Sequence, residues 1–214
     1  VQEMLKPYYR RRIFIERSLG IYDANFFKAP SSVYLNGYFQ SELYFSGIQD
    51  IIRREFQIKY PQGAKDLEIF ELMKKVESVS LHVRRSDYLS DPATAKRYAV
   101  CGVDYFKRAI QFMVEKKGIS PHFFVFSDDI AWARENLRLD YPCVFMAGDR
   151  QDADYEDLRL MSQCKHHIIA NSSFSWWGAW LNPAPEKIVI APKQYFKAAS
   201  PMMRDWCPKH WTRL

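Results

Sequence analysis

The pattern of apolar and polar residues changes near residue 78. From there on, short apolar runs alternate with longer stretches whose apolar residues recur at helical spacing. The runs predict strands at 79–83, 122–126, 143–146, 167–170 and 187–191, and the stretches predict helices at 104–117, 129–137, 154–163 and 174–181. Strands separated by single helices are joined by right-handed crossovers and lie parallel in one sheet. The pattern therefore predicts an α/β, Rossmann-like domain over residues 78–214.

The first 77 residues follow a different pattern. A basic segment over 1–20 precedes an aromatic, strand-like run over 33–39, and two helical stretches follow around 41–59 and 66–77. This order does not form a complete α/β unit, so the sequence predicts part of a separate N-terminal lobe over residues 1–77. Because the chain opens without Met and without a strand–turn–helix pattern, we expect that further sequence precedes it in the protein.

Charge and length narrow the class of partner. With 214 residues the chain is long enough for one large domain or two small ones. Its net charge of +6 favours an anionic partner. Apart from Arg10-Arg11-Arg12 and a few short pairs, the basic residues are scattered along the chain. We therefore expect a small ligand that carries phosphate, and no nucleic acid.

Cysteine spacing and hydropathy bear on the location of the protein. The four cysteines are far apart and form no Cys-x-x-Cys pair, so we predict neither a disulfide framework nor a zinc site. No apolar run approaches the roughly 18 residues that a membrane-spanning helix needs. These features favour a cytoplasmic location. Peripheral contact of residues 10–15 with a membrane surface is one interpretation of that segment, and a basic helix end followed by a strand is the other.

The strongest candidate for chemistry is the segment His82-Val83-Arg84-Arg85-Ser86-Asp87-Tyr88, which continues the predicted strand 79–83. A parallel strand that ends in two arginines brings two positive charges to the carboxyl edge of the sheet, where open α/β sheets bind ligands. The planar guanidinium matches the geometry of a phosphate group. Asp87 is close enough in sequence to orient a guanidinium or to meet a substrate hydroxyl. A surface cluster of ion pairs is the alternative interpretation.

A second candidate, Asn171-Ser172-Ser173-Phe174-Ser175, follows the predicted strand 167–170. Residues of this type open helices, so free backbone N–H groups would receive a phosphate there, facing the arginines of the first strand. Plain capping of a Trp-rich core helix is the alternative. After the other strands come Ser127-Asp128-Asp129 and Gly148-Asp149. Asp128-Asp129 is compatible with a helix cap or with a ligand contact.

Other phosphate-binding and metal-binding patterns give no competing prediction. The sequence contains neither Gly-x-Gly-x-x-Gly nor a P-loop. Asp152-Ala153-Asp154 matches a short metal-binding pattern, but acidic residues at the start of a helix are favoured by the helix dipole alone. His166-His167 has no third ligand at metal spacing, and we interpret the pair as structural. We therefore predict no metal site.

Five segments together resemble the bacterial α-1,2-fucosyltransferases of glycosyltransferase family eleven: 82–88, 126–129, 160–164, 170–181 and 190–193. Residues 36–42 are similar to the segment that this family carries ahead of its donor domain. The resemblance covers about residue 34 to the end, and it implies a GT-B-like fold. The Rossmann-like domain would be the donor lobe and residues 1–77 part of the acceptor lobe. The chain departs from the family at Ser86, where Gly is usual, and in lacking the family's Gly-rich N-terminal opening.

The resemblance also implies roles for individual residues. Arg84 would bind the diphosphate of the donor and His82 would contact its guanine region, while the carboxylate of Asp157 would hold guanine and Ser172 and Ser173 would bind phosphate. The full set of donor-binding candidates is His82, Arg84, Arg85, Asp157, Asn171, Ser172, Ser173 and Phe174. The catalytic candidates are Arg84, for the charge of the leaving diphosphate, and Asp87, as general base, with Asp91 as a second choice for the base.

We therefore expect an inverting transferase that moves L-fucose from GDP-fucose to the 2-hydroxyl of a galactoside, with no required metal or cofactor. Its partners would be GDP-fucose and a galactose-terminated glycan, and its location the bacterial cytoplasm, with peripheral contact at the inner membrane as an open alternative. Two other functions remain open. One is an inactive or truncated relative that binds a nucleotide or a glycan, and the other is a GT-B transferase that uses a different nucleotide sugar.

Overall fold

The computed structural model describes residues 2–146, 154–197 and 203–214. The described strands are β1 (Ile13–Ile15), β2 (Tyr34–Asn36), β3 (Ser78–Val83), β4 (His122–Ser127), β5 (Cys143–Phe145), β6 (His166–Ile168), β7 (Val189–Ala191) and β8 (Thr212–Arg213). The described α-helices are α1 (Gln2–Leu5), α2 (Gln49–Glu55), α3 (Ala64–Lys75), α4 (Ser86–Ser90), α5 (Pro92–Arg97), α6 (Val103–Gln111), α7 (Ile130–Asn136), α8 (Asp154–Gln163) and α9 (Ser173–Leu181).

The chain divides into two compact units. One consists of Val1–Glu55 with Ser200–His210, and the other of Phe56–Ala199 with Trp211–Leu214. Helix α3 thus belongs to the second unit, although its residues fall within the segment 1–77 that the sequence analysis assigned to the N-terminal lobe. The identification of these units with acceptor and donor lobes stays a prediction.

The second unit contains a six-stranded sheet in the order β5-β4-β3-β6-β7-β8, in which every pair is parallel. The chain runs outward from β3 to β4 and β5, returns to β6 on the other side of β3, and then continues outward to β8. The strand order therefore reverses between β3 and β6, as in doubly wound nucleotide-binding folds. This arrangement confirms the predicted α/β, Rossmann-like class.

Both faces of the sheet are covered, because the strands contribute apolar side chains in both directions. Val79, Leu81 and Phe106 belong to the cluster under α6 and α7. Phe124 and Leu160 belong to a second cluster, formed with α3 and α8 on the other face. All six residues of β3 are buried. The central strand therefore has no solvent-exposed position until it ends.

The polar residues of β3 lie on the α8 side, where they form a buried hydrogen-bond network. Ser80 Oγ lies 2.8 Å from His167 Nδ1, and Asn182 Nδ2 donates to His167 Nε2 at 2.9 Å and to the Cys164 carbonyl at 2.7 Å. Because Nε2 accepts a hydrogen bond, the ring proton is on Nδ1 and is donated to Ser80. Burial lowers the pKa of His167, so its ring is neutral. These bonds agree with a structural role for this histidine.

The structure shortens several predicted elements. The helical pattern over 41–59 becomes two 3₁₀ turns followed by α2, and the pattern over 104–117 becomes α6 followed by a π turn at Phe112–Lys116. Gly118, at φ +66°, lies just beyond that turn in a conformation that few other residues adopt. The predicted strands 167–170 and 187–191 are observed as β6 and β7. Strand β8 and the short helices α4 and α5 were not predicted.

The first unit contains the parallel pair β1–β2, with Phe14 buried and its neighbours Ile13 and Ile15 exposed. A 3₁₀ helix at Tyr8–Arg10 precedes β1, which agrees with the basic helix end and strand proposed for residues 10–15. The predicted strand 33–39 ends early, at Asn36. Gly37 follows with φ +157°, and a Cβ there would lie 2.3 Å from the Cβ of Glu16. Among the described residues, no helix is both long and apolar enough to cross a bilayer.

The close contact between α8 and α9 depends on Gly178, and we expect Gly178→Ala to lower the unfolding free energy by about 1–3 kcal/mol through overpacking. An added Cβ would lie 2.9 Å from the Cβ of Met161, which cannot move without its helix. The gain in helix propensity from Gly to Ala, about 1 kcal/mol, is too small to compensate. Urea denaturation measures the difference. The matched control is Gly47→Ala, where a Cβ meets no atom within 4 Å. A Gly178→Ala chain as stable as this control would contradict the packing argument.

Candidate functional site

The candidate site lies at the carboxyl edge of the six-stranded sheet, where the strand order reverses between β3 and β6. Open α/β sheets bind their ligands in the crevice at such a reversal. Val83, the last residue of β3, is in register with Ser127, the last residue of β4. The arginines that follow β3 and the aspartates that follow β4 therefore leave the sheet side by side. The start of α9 follows β6 on the other side of β3.

Arg84 is held by two carboxylates at this edge. Its Nε lies 2.9 Å from Asp87 Oδ1 and 3.3 Å from Asp128 Oδ2. The Arg84 side chain remains 36% exposed, so part of the guanidinium faces solvent. A guanidinium that is fixed through Nε can present its remaining N–H groups to an anion. The structure thus brings together Arg84 and Asp87, the two residues that the sequence analysis named as catalytic candidates.

Asp128 fixes the backbone of the arginine turn as well as its side chain. Its two carboxylate oxygens accept hydrogen bonds from the backbone N–H groups of Arg85 (2.9 Å) and Ser86 (3.0 Å). Ser86 Oγ in turn donates to the Asp128 carbonyl at 2.9 Å. Hydrogen bonds to an ionised acceptor are stronger than neutral ones. Asp128 is therefore the anchor of the turn, which the sequence analysis had left as a cap or a ligand contact.

Arg85 points away from Arg84 and is largely enclosed. Its guanidinium lies 3.7 Å from the ring centroid of Trp132 in α7, and its Nε lies 3.7 Å from Asp129 Oδ2. Asp129 also accepts a hydrogen bond from the backbone N–H of Trp132 at 3.1 Å and so caps α7. Arg85 was predicted to bind the donor beside Arg84. In the structure Arg85 fastens the turn to α7 through cation–π stacking, and its role in donor binding stays a prediction.

Helix α9 begins at the site without a side-chain cap. Ser172 is its N-cap residue, yet its hydroxyl makes no capping hydrogen bond. The structure therefore does not show Ser172 acting as an ordinary side-chain cap of α9. Ser173 is exposed and Phe174 is half-buried, and both follow in the first turn.

The other end of α9 is capped by a lysine. Lys187 Nζ donates hydrogen bonds to the carbonyls of Ala179 (2.8 Å) and Asn182.

The Asn171 side chain is hydrogen-bonded within the fold. Its Nδ2 donates to the carbonyls of Ala99 (2.6 Å) and Tyr195 (2.9 Å), and the residue is fully buried. The Asn171 amide group thus joins two segments of the fold, and a role of Asn171 in donor binding stays a prediction. Its backbone carbonyl accepts a hydrogen bond from Tyr88 Oη at 2.8 Å, which ties the arginine turn to the segment before α9.

His82 lies at the end of β3 with its ring 5.9 Å from that of Phe174. Burial, together with the positive charge of Arg84, lowers the pKa of His82 to about 3, so the ring is neutral near pH 7. Its Nδ1 is buried and has no hydrogen-bond partner among the described residues. A buried, unpartnered ring nitrogen costs free energy, and a ligand group that pairs with it would recover that cost.

The contacts described above do not include the remaining residues that the sequence predicted for the site. Asp157 is half-buried in the first turn of α8, on the carboxyl side of the sheet. Gly148, Asp149 and Asp152 lie outside the described residues. Within the described ranges, no group of three His, Cys, Asp or Glu side chains is placed to share a metal ion. Metal independence stays a prediction.

Comparison with known proteins relates this chain to one family of glycosyltransferases. A sequence model of the family described as Glycosyl transferase family 11 matches residues 5–214. The O-antigen biosynthesis glycosyltransferase WbnK of Escherichia coli is 37% identical over 168 residues, which are 76% of this chain and 55% of that protein. An alpha-1,2-colitosyltransferase of Escherichia coli is 37% identical over 188 residues, 86% of this chain and 63% of that protein.

More distant relatives come from primates. Galactoside alpha-(1,2)-fucosyltransferase 1 of Saimiri boliviensis boliviensis is 28% identical over 155 residues, which are 69% of this chain and 42% of that protein. The chain thus spans less than two thirds of the length of the relatives that it matches.

The neutral, buried state of His82 predicts a pH dependence of stability. The unfolded chain protonates this ring near pH 6.5, whereas the folded chain does so only near pH 3. Between these values the unfolded state binds more protons, so the unfolding free energy falls as the pH falls, by up to about 1.4 kcal/mol per unit from this residue. Urea denaturation between pH 4.5 and 7.5 measures the slope. His82→Gln should make it smaller, and His210→Gln, which replaces an exposed histidine, is the control. Equal slopes for His82→Gln and the unaltered chain would contradict a neutral His82.

Proposed function

The chain belongs to glycosyl transferase family 11, and from this membership and the site geometry we propose that it transfers a sugar from a nucleotide donor to a hydroxyl group of a glycan. The membership confirms the resemblance found in the sequence. The observation that carries the proposal is the position of Arg84, anchored at the reversal of strand order beside the uncapped start of α9. These are two independent sources of positive potential for a diphosphate.

The motifs best support one specific form of this proposal. In that form GDP-fucose is the donor, and the acceptor group is the 2-hydroxyl of a galactoside. The supporting observations are the resemblance of segments 82–88 and 170–181 to α-1,2-fucosyltransferases and the names of the relatives. In this assignment His82 and Asp157 contact the guanine base, and Ser172 and Ser173 contact phosphate. Because the chain spans only part of its relatives, the activity is proposed for the whole protein to which these residues belong.

A colitosyl donor is the second candidate, because a relative named alpha-1,2-colitosyltransferase matches 86% of the chain at 37% identity. Colitose is L-fucose without the hydroxyl at C3, so the two donors share the nucleotide, the diphosphate and the anomeric carbon. The same anchored arginine would serve either of them. Comparing transfer from GDP-fucose with transfer from GDP-colitose distinguishes the two candidates.

The chemical step requires stabilisation of a leaving diphosphate. The acceptor oxygen attacks the anomeric carbon, the bond from that carbon to the diphosphate oxygen breaks, and the acceptor proton passes to a base. Arg84 and the backbone N–H groups at the start of α9 stabilise the charge that develops on the diphosphate. Preorganised donors of this kind commonly contribute several kcal/mol to the lowering of a barrier. Because Asp87 and Asp128 hold Arg84 before the donor binds, little reorganisation is needed.

Asp87 is the proposed general base, and its contact with Arg84 gives it a second possible role as a positioning group. Asp87 Oδ1 faces Arg84 Nε at 2.9 Å and is buried, whereas the side chain as a whole is 45% exposed, so the other carboxylate oxygen is accessible to an acceptor hydroxyl. Asp91, the second choice, caps α5 by accepting from the backbone N–H of Thr94 at 2.7 Å. Its local hydrogen bond makes it the weaker candidate.

The first test is a calorimetric titration of GDP into the chain in EDTA, with UDP and ADP as controls. We expect GDP-selective binding that weakens at least tenfold in Arg84→Ala, because the diphosphate loses its anchored guanidinium. Arg84→Lys should bind with intermediate affinity, since it keeps the charge but not the planar fork. Arg108→Ala removes an exposed arginine from α6 and serves as the matched control. Equal GDP affinity in Arg84→Ala and Arg108→Ala would overturn the diphosphate assignment.

A second test separates the two roles of Asp87. Asn at this position can still accept a hydrogen bond from Arg84 Nε but cannot take a proton. If Asp87 is the base, Asp87→Asn lowers kcat at least a hundredfold and leaves GDP affinity within about threefold. If Asp87 only positions Arg84, Asp87→Asn keeps that contact and leaves both kcat and GDP affinity within about threefold of the unaltered chain. The readouts are calorimetry for GDP and turnover of GDP-fucose with a galactoside acceptor.

The non-enzymatic alternative is a nucleotide-binding relative. It predicts GDP binding that depends on Arg84, with neither transfer nor hydrolysis of any GDP-sugar by the whole protein. Measured transfer of any sugar would exclude it.

A further inference from the structure

A short antiparallel ladder flanks the candidate donor site. Tyr98 pairs with Phe196, and the backbone N–H groups of Lys197 and Ala99 donate to the carbonyls of Arg97 (2.9 Å) and Tyr195 (3.2 Å). The ladder joins the end of α5 to the segment that follows β7. We refer to residues 97–99 and 195–197 as the flanking ladder.

The buried amide of Asn171 fixes both strands of the flanking ladder. It donates to the carbonyls of Ala99 and Tyr195, one on each strand. Tyr98 also stacks on Tyr88 at 4.9 Å between ring centroids, and the Tyr88 ring lies 6.0 Å from the Arg84 guanidinium carbon. The ladder is therefore held rigidly against the donor site by residues of the same two motifs.

The register of the flanking ladder places two basic residues opposite each other along the backbone. With Tyr98 opposite Phe196, Arg97 is opposite Lys197. Like charges directly opposite across a strand pair are destabilising. Both side chains are exposed, and neither has a carboxylate within 4 Å in the part of the chain that the structure describes. A positive charge at the end of α5 stabilises that helix, which explains why an arginine stands at position 97. The same reason does not apply to Lys197, which lies outside a helix.

Arg97 is also oriented in advance. Its guanidinium carbon lies 5.0 Å from the ring centroid of Phe196 and 5.7 Å from that of Tyr98. Stacking on two rings restricts the side chain and leaves the edge of the guanidinium, with its N–H groups, free to meet a planar anion. The exposed Lys96 and Lys193 add further positive charge nearby in the sequence.

We propose that Arg97 and Lys197 form an anion-binding subsite that holds a phosphate or carboxylate group of the acceptor during sugar transfer. The inference rests on the proposed function for the identity of the anion's carrier, but the subsite itself does not depend on it. The proposed anion is distinct from the donor diphosphate, because Arg84 contacts the ring of Tyr88 whereas Arg97 contacts the rings of Tyr98 and Phe196. A negative group bound between Arg97 and Lys197 would offset their repulsion.

The test is a calorimetric titration of inorganic pyrophosphate into the chain saturated with GDP, at constant ionic strength. We expect one further binding event, weakened at least tenfold in the double variant Arg97→Gln/Lys197→Gln. The matched control, Lys107→Gln/Arg108→Gln, removes one exposed lysine and one exposed arginine from α6 and should bind like the unaltered chain. Equal affinities in all three proteins, or no binding beyond GDP, would overturn the inference.

Two further measurements distinguish the type of anion that binds and separate a failure of the subsite from a failure of the proposed function. Glucuronate replaces pyrophosphate in a parallel titration, so that the tighter ligand identifies a carboxylate or a phosphoryl group as the preferred anion. If GDP itself does not bind, the proposed function fails, and pyrophosphate is then titrated into Arg84→Ala without GDP. Binding there that disappears when Arg97 and Lys197 are also replaced still supports the subsite.

Discussion

The in-register pairing of β3 with β4 is the constraint on which the rest of the site depends. It places the first residues after both strands side by side, so that the carboxylate of Asp128 meets two backbone N–H groups of the arginine turn. A shift of one residue in that pairing would turn every side chain of β3 to the opposite face. The apolar residues of β3 would then lie where Ser80 and His82 now lie. The packing of the core and the position of Arg84 are thus consequences of one register.

Much of the second unit could be predicted because its signals are local. A strand buried on both faces is short and apolar, and the helices between strands carry their own periodicity, so the order of elements was readable from the chain. The parallel direction of the strands followed from the single helices that separate them, whereas the order of the strands in the sheet was not predicted. The position of the site then followed from the residues after the strands. These inferences do not require the contacts between individual side chains to be known.

The directions of individual side chains could not be predicted in the same way. Arg84 and Arg85 are identical in type and adjacent, and the contact with Trp132 on a neighbouring helix is what distinguishes the stacked guanidinium of Arg85 from the partly exposed one of Arg84. The sequence suggested that the Asn171 amide belongs to a phosphate site. The carbonyls that it binds could not be foreseen, because they belong to segments distant in sequence. The flanking ladder is likewise made of residues about a hundred positions apart, and no periodicity marks it. Long-range pairing of this kind is visible only in the fold.

Lys187 gives helix α9 an unequal charge at its two ends. The ammonium group covers the carbonyls at the far end of the helix, whereas the near end has no capping side chain. A helix carries about half a positive charge at its start and about half a negative charge at its end. With the negative end covered, the electric field at the site is that of the positive end with little to oppose it. A lysine at the far end of α9, a full helix length from the candidate site, thus contributes to the positive potential at the start of that helix.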